Sequence, residues 1–261
     1  MKILNTNNIK NELITKLKYN EISNKVLLLT YKPSKEGVFY KNFIIKRCIE
    51  FGIEYIDHEF EDNADSFTMV NYINSFDKND GFIIFLPFGD FSDIDYLREN
   101  ITIKDLDGFT NLSMGKSLNG EYKNLPATPK AIARFLIEDY DIKAKNVVIA
   151  NNTNLIGLPL ATFLSKKNAT VTILNSSSTN DKAIIKNADI FISAIGKANF
   201  YDKSYFKDGQ LLIDVGTSYV NGKIIGDIKF DDLENLDIEI LTSKNGIGSI
   251  TTLTLLENLI D

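Results

Sequence analysis

Short apolar runs rich in β-branched residues alternate with helical patterns almost from end to end, and this alternation limits the chain to very few architectures. Val26–Tyr31 reads as a strand. Phe43, Ile44, Cys48 and Phe51 recur at helical spacing, so Tyr40–Phe51 reads as a helix. Ile53–Ile56 reads as a short strand, and Asp65–Ser75 as a helix opened by an acidic cap. Gly81–Phe88 is a continuous apolar run stopped by Pro87, of a length suited to a strand buried on both faces. The second half repeats the rhythm. Pro129 sits in the first turn of a helix reaching about Tyr140, where its missing N–H costs nothing. Val147–Ala150, Ala169–Leu174, Asp189–Ile195, Gln210–Val215 and Ile238–Leu241 read as strands. Pro159–Lys167 and Thr251–Ile260 read as helices. Strands that alternate with helices pair in parallel through crossovers, so the fold class is α/β. The composition shift near 119–129 is the best candidate for a domain boundary.

Composition removes whole classes of function. Of 261 residues, 44% are hydrophobic and 25% charged, an ordinary globular mix with a net charge of −6. That balance carries no general footprint for nucleic acid, and no basic block is longer than the pair Lys46-Arg47. The single cysteine, Cys48, permits no disulfide within the chain and suits a reducing compartment. Met1–Lys10 has no apolar signal core, and Phe82–Phe88 is far too short to span a bilayer. A cytoplasmic protein without membrane partners is the expectation. His58 is the only histidine, which excludes a multi-histidine metal site. It reads as a surface side chain at a strand end in an acidic stretch, rather than as a base.

Four stretches are candidates for chemistry. Asn151-Asn152-Thr153-Asn154-Leu155-Ile156-Gly157 follows a strand and opens a helix, the place where a dinucleotide phosphate sits on backbone N–H groups. The G-x-G-x-x-G fingerprint is absent, and Asn175-Ser176 stand where an acid would hold the ribose. A Rossmann-type unit without dinucleotide explains the stretch equally well. In Lys104-Asp105-Leu106-Asp107-Gly108-Phe109 the two acids can bind a polar heterocycle or simply cap a turn. Asp214-Val215-Gly216, followed by Gly226-Asp227-Ile228, places glycine at a strand end where a ligand can approach, although turn chemistry alone also explains it. Asn245-Gly246-Ile247-Gly248-Ser249 precedes a helix and is either a cradle for a planar or anionic group or a loop capped by Ser249.

Taken in order, these pieces carry a resemblance that covers nearly the whole chain. The best-matching stretches are KDLDGF (104–109), PATP (126–129), LIGLPLATFLSKKNATVTILNSSST (155–179), ADIFISAIGK (188–197), LLIDVGTSYVNGKIIGD (211–227) and GIGSITTLTLLEN (246–258). The chain resembles the bifunctional methylenetetrahydrofolate dehydrogenase/methenyltetrahydrofolate cyclohydrolase family. The resemblance implies two domains facing each other across a cleft. One is an N-terminal three-layer α/β folate domain, residues 1–124, joined by the C-terminal helix 250–261. The other is an NAD(P)-binding Rossmann domain, residues 125–249. It also implies a tetrahydrofolate derivative as substrate, NADP or NAD as cofactor, no metal, and a homodimer formed through the Rossmann domain. In such a protein a hydride leaves the carbon bridging two folate nitrogens, and water then opens the methenyl cation.

Carried over position by position, the resemblance makes Tyr40 the tyrosine that stacks on folate and Asp107 the pterin-binding acid; both are candidate catalytic and substrate-binding residues. Gly246 and Gly248 join them on the substrate side. Asn151, Asn152, Thr153, Ile156, Gly157, Ser176 and Gly216 take the cofactor-binding positions. The departures are specific. The family's catalytic lysine position is Ile44, and the glutamine that hydrogen-bonds to that lysine is Phe85. Lys46 lies two residues on, about 200° around a helix, and Lys41 is displaced in a similar way. The family's Gly-Arg-Ser is Asn151-Asn152-Thr153, without the charge that holds a 2′-phosphate. The Pro-Gly-Gly-Val-Gly-Pro loop is Lys244-Asn245-Gly246-Ile247-Gly248-Ser249, without either proline. Replacing both members of a buried polar pair by apolar groups can be nearly neutral for stability, but isoleucine cannot manage a proton. These observations predict a surviving hydride transfer with the cyclohydrolase step lost. The alternative is a non-catalytic paralogue that binds another ligand or partner in the same cleft. A different two-domain dehydrogenase, of the shikimate dehydrogenase kind, conflicts with the order of KDLDGF and PATP.

Overall fold

In the computed structural model, which describes residues 1–220, 223–243 and 246–260, the alternation resolves into two parallel sheets and a small hairpin. The first half runs β1 (Lys2–Ile3), α1 (Asn7–Tyr19), β2 (Val26–Thr30), α2 (Lys35–Phe51), β3 (Tyr55–Glu59), α3 (Ser66–Asn74), β4 (Gly81–Ile84), α4 (Ile94–Asn100), β5 (Lys104–Asp105) and α5 (Asn111–Ser117). The second half runs α6 (Ala127–Asp139), β6 (Asn146–Ala150), α7 (Gly157–Lys166), β7 (Thr170–Leu174), α8 (Asp181–Asn187), β8 (Ile190–Ser193), β9 (Leu211–Asp214), β10 (Ser218–Val220), β11 (Lys223–Ile225), β12 (Glu239–Leu241) and α9 (Gly248–Ile260).

The first sheet has the order β3-β2-β4-β5 and is parallel throughout. Its central strand β2 is buried at every residue. Leu28 and Ile83 face a cluster shared with α1, α2, α6 and α9. Leu27, Leu29, Phe82 and Ile84 face α3 and α4 through Met69, Val70, Ile73 and Leu97. Helices on both faces make this unit three layers deep. The second sheet has the order β1-β12-β9-β8-β6-β7, again all parallel, and β10–β11 form a separate antiparallel hairpin. The chain leaves β6 for β7 on one side and returns to β8 on the other. The strand order therefore reverses at β6, and reversal opens a crevice at the strand ends.

Helix α9 is buried along almost its whole length and packs on α1, α6 and α2. Glu257 is the charged centre of that packing. Its carboxylate lies 3.0 Å from Lys16 Nζ of α1 and 3.6 Å from Arg134 Nη1 of α6. Among the described residues no helix is long and apolar enough to cross a membrane, and no cluster of His, Cys, Asp and Glu is placed to hold a metal ion.

Four observations differ from the sequence reading. The first strand, β1, pairs with β12 and so belongs to the second sheet, although it lies within 1–124. Helix α1 lies in what read as a polar start; Ile9, Leu13 and Leu17, spaced by four, are its buried stripe. Helix α2 begins five residues earlier than Tyr40, because Ser34 Oγ accepts the Gly37 N–H at 3.0 Å and caps it there. The strand at 53–56 lies at Tyr55–Glu59, where pairing with Val26–Thr30 sets the register. His58 is therefore inside β3 and not at its end. It is half-buried, stacked on Tyr72 at 4.1 Å and edge-on to Phe60, and burial lowers its pKa.

Candidate active site

The C-terminal ends of the first sheet bring Tyr40, Phe85 and Asp107 together. Tyr40 is in the second turn of α2, which follows β2; Phe85 comes just after β4, and Asp107 just after β5. The Tyr40 ring meets Phe85 edge-on, with centroids 6.0 Å apart at 73°. Burial and the nearby Asp107 charge together raise the Tyr40 hydroxyl's pKa above its usual value.

The two acids of KDLDGF divide their work. Asp105 closes the turn, accepting from the N–H groups of Asp107, Gly108 and Thr110 and from the Thr110 hydroxyl. Asp107 lies outside that turn network, held by one bond from the Ala127 N–H at 3.1 Å. That bond joins KDLDGF to PATP. Pro126 packs so closely that a Cβ on Gly108 would lie 2.7 Å from its ring, and Gly108 sits at φ +77°. Burial pushes the Asp107 carboxyl up to about 7, against the Ala127 N–H, which favours the ionised form. The adjoining Leu106 carbonyl accepts from Asn258 of α9 at 2.9 Å, and Asn258 accepts from buried Lys130 at 2.6 Å. This second tier fixes the strand end that carries Asp107.

Ile44, the position to which the resemblance assigns a lysine, shares a core cluster with Phe85 and with Tyr40 packed against it. Ile44 is fully buried on the same face of α2 as Tyr40 and Cys48. Neither nearby lysine turns toward it. Lys41 is buried against β3, with Nζ 2.7 Å from Asp57. Lys46 is exposed on the outer face of α2 beside Phe39, Asn42 and Phe43. Phe39 reaches across to Tyr219 of the hairpin, with centroids 6.1 Å apart, so the two domains touch at the rim of the cleft.

On the second sheet, the loop after β6 is closed by its own side chain. Asn151 Oδ1 accepts from the Thr153 N–H (2.9 Å), the Thr153 hydroxyl (2.8 Å) and the Gly157 N–H (3.0 Å), while Asn151 Nδ2 donates to the Ala194 carbonyl. The Ile156 N–H goes to Thr153 Oγ1. The helix-end N–H of Gly157 is thus already satisfied within the protein. A Cβ on Gly157 would fall 1.8 Å from the Asn151 carbonyl oxygen, so only glycine closes the turn. Asn152, Thr153 and Ser176 remain exposed at the rim of the crevice. They offer neutral donors and acceptors that fit the ribose and phosphate oxygens of a dinucleotide.

The space on the Cβ side of Gly216 holds an acid. The Asp227 carboxyl fills it: a Cβ on Gly216 would lie 2.0 Å from Asp227 Cγ, and one on Gly226 would lie 2.0 Å from Asp214 Oδ2. Glycine at 216 makes room for an internal acid. Asp227 accepts from Ser193 Oγ and from the N–H groups of Ile195 and Lys197; Asp214 accepts from those of Gly216, Asp227 and Ile228. Burial raises the Asp214 carboxyl to about 6. This lock joins the ends of β8 and β9 to the segment after β11. Its sequence signal was the repeated pairing of Asp with Gly in DVG and GD.

Gly246 and Gly248 follow β12, and Lys244-Asn245 lie outside the described residues. A Cβ on Gly246 would strike the Thr242 carbonyl oxygen at 2.0 Å, whereas one on Gly248 would meet only Ser243 O, at 3.8 Å. Ser249 lies inside the first turn of α9 and donates to the Gly246 carbonyl, so it is not the expected N-cap acceptor.

Comparison with known proteins agrees with this geometry. The family described as "Tetrahydrofolate dehydrogenase/cyclohydrolase, NAD(P)-binding domain" matches residues 126–261. The bifunctional protein FolD of Clostridium novyi (strain NT) is 37% identical over 225 residues, 85% of this chain and 77% of that protein. The solved structure of the bifunctional FolD methylenetetrahydrofolate dehydrogenase/cyclohydrolase from Campylobacter jejuni superposes with a TM-score of 0.89 at 26% identity, covering 100% of this chain and 97% of the other. The corresponding enzyme from Thermoplasma acidophilum superposes with a TM-score of 0.84 at 25% identity, covering 99% and 97%. With this agreement over the Rossmann half, over most of the sequence and over the whole fold, the chain belongs to the FolD-like family of methylenetetrahydrofolate dehydrogenases/cyclohydrolases of folate one-carbon metabolism.

Proposed function

We propose that the chain transfers a hydride from methylenetetrahydrofolate to a nicotinamide dinucleotide and does not perform the cyclohydrolase step. The observation that carries this reading is the apolar packing at the reacting end of the cleft. Ile44 is buried where the resemblance requires a lysine, and Phe85 lies against Tyr40 where it requires a glutamine. Tyr40 offers its ring to the folate, and Asp107 offers a carboxyl to the pterin's N–H donors. The open side of Gly248 leaves backbone accessible to the same ligand. The dinucleotide supplies the hydride acceptor when bound. Asn152, Thr153 and Ser176 hold its ribose and phosphates from the crevice rim, with Asn151, Ile156 and Gly157 shaping the turn. Hydride transfer depends mainly on positioning and does not need the missing lysine. Opening the methenyl cation needs an activated water, and Ile44 and Phe85 have no group to activate one.

Neutral residues at 152 and 176 give a 2′-phosphate no counter-charge, which favours NAD over NADP. Two units, 1–124 with α9 and 125–249, meet at this cleft, with β1 lent to the second sheet. Exposed Val220 and Ile224 on the hairpin support a homodimer through the Rossmann unit, and the lack of a membrane-spanning helix among the described residues is consistent with a cytoplasmic setting.

The test is two assays on one preparation: NADH or NADPH formation from methylenetetrahydrofolate, and hydrolysis of methenyltetrahydrofolate. The proposal expects the first above background and the second at background. Hydrolysis at the rate of a lysine-bearing relative overturns the lost step. No hydride transfer with either dinucleotide leaves the non-catalytic reading in its place.

A further inference from the structure

One backbone atom at the start of α9 gathers an unusual number of donors. The Gly246 carbonyl oxygen receives the Ser249 N–H at 3.0 Å, with Ser249 Oγ at 2.8 Å and Thr6 Oγ1 at 3.2 Å. The two hydroxyls lie 2.9 Å from each other. Each has one hydrogen, so one hydroxyl donates to the carbonyl while the other joins it there or donates to its neighbour. Thr6 is only 2% exposed and lies on the link between β1 and α1, 240 positions away in sequence. On the other side, the Thr242 carbonyl oxygen leaves no room for even a Cβ on Gly246. The Gly246–Ile247 peptide is therefore clamped between Thr242 and a pair of hydroxyls.

We infer that Thr6 and Ser249 are positioning residues for the folate side of the cleft. They hold the peptide that presents the Gly246 and Gly248 backbone to the substrate. This rests on the folate reading above. Ser249 stands where the resembled family has proline, so hydrogen bonds to one carbonyl take over the restraint that a ring would provide. Thr6 supplies the half of the clamp that a local sequence reading cannot find. A wall held in its bound geometry before the ligand arrives loses less freedom on binding. The clamp therefore acts on folate affinity and not on the dinucleotide, which sits at the other strand ends.

The experiment measures tetrahydrofolate binding under anaerobic conditions and NAD binding separately, by calorimetry, for wild type, Thr6→Val, Thr6→Ser, Ser249→Ala and the double variant Thr6→Val/Ser249→Ala. Tetrahydrofolate should bind Thr6→Val about 5- to 10-fold more weakly, the weight of one net hydrogen bond, and Thr6→Ser should restore it. The NAD dissociation constant should stay within about twofold in every variant, and the double variant should lose less than the two single losses combined, because both hydroxyls serve one acceptor. Equal losses for both ligands, or wild-type folate affinity in both Thr6→Val and Ser249→Ala, overturn the inference. Ser249→Ala keeps the test open should Thr6→Val fail to fold. If wild type binds NAD but no tetrahydrofolate, the folate reading falls, and this inference with it.

Discussion

Ile44 is fully buried and Phe85 packs against Tyr40, so the chemistry of this site turns on two side chains that must change together. Ile44→Lys alone buries a cation without a partner and should destabilise the fold by about 3–5 kcal/mol, measured by urea unfolding. Ile44→Lys/Phe85→Gln returns a hydrogen-bond partner and should recover part of that loss. If the apolar pair is what removed the cyclohydrolase step, methenyltetrahydrofolate hydrolysis appears in the double variant and in neither single one. Asp107 makes a second prediction. Its carboxyl titrates at about 7 in the native state, above its ordinary 3.8. The native state therefore holds the proton more tightly than the unfolded chain does. The stabilisation is complete below the unfolded pKa and is lost as pH rises through about 7. Asp107→Asn stays neutral, so its stability relative to wild type should improve between about pH 4 and about pH 7, where the unfolded carboxyl is ionised and the native one is still protonated. Folate binding by wild type should strengthen as pH rises through about 7, where the native carboxylate forms, and the slope should vanish in Asp107→Asn. A flat wild-type profile removes Asp107 from the binding role.

Helix α2 and the loop after β6 illustrate how an element places these residues. Ser34 caps α2 and Gly52 ends it in a left-handed conformation at φ +66°, so the helix has a defined phase. In that phase Tyr40, Ile44 and Cys48 turn inward while Phe39, Phe43 and Lys46 turn outward. Ser34→Ala should cost about 1 kcal/mol by chemical denaturation, and it should weaken folate binding more than NAD binding, because Tyr40 rides on the loosened turn. Of the helical stripe read in the sequence, Ile44 and Cys48 turn inward, whereas Phe43 is exposed. The beginning of α2 was not legible, because Lys35-Glu36-Gly37 carries no apolar marker and the Ser34–Gly37 bond sets the start. Strand β4 was legible as an apolar run, yet it pairs only as far as Ile84; the run continues through Phe88 because Phe85 and Phe88 pack in loops beyond the sheet. The loop after β6 was legible as a phosphate-type turn. That Asn151 closes it from within, and that Asp227 occupies the room beside Gly216, were not, because Asn151 reaches as far as Ala194, 43 residues on, and Asp227 comes from beyond the hairpin.

At the scale of the molecule, α9 makes the two units one. It packs on α1, α2 and α6, Glu257 joins Lys16 and Arg134 across three helices, and its Leu253, Leu255 and Leu256 are fully buried. Leu256→Ala should cost about 2–5 kcal/mol, which corresponds to about 2–4 °C of melting temperature per kcal/mol for a protein near this size. Because the helix serves both units, calorimetry should show a single transition moved down in temperature. Two separated transitions would mean that the sheets fold independently of α9.

The chain's own order of residues determined the α/β class, the parallel sheets, and most of the buried strands and helices. These rest on local periodicity and on motifs read a few residues at a time. The tertiary structure decided what individual side chains face. It turned Lys41 to Asp57 and Lys46 to the outside, split the two acids of KDLDGF into a turn cap and a carboxyl outside that turn, took β1 into the second sheet, and set Thr6 on the Gly246 carbonyl. Each of these depends on a partner far along the chain, or on the phase of a helix against a sheet. Neither is specified until the strands have paired and the helices have packed upon them.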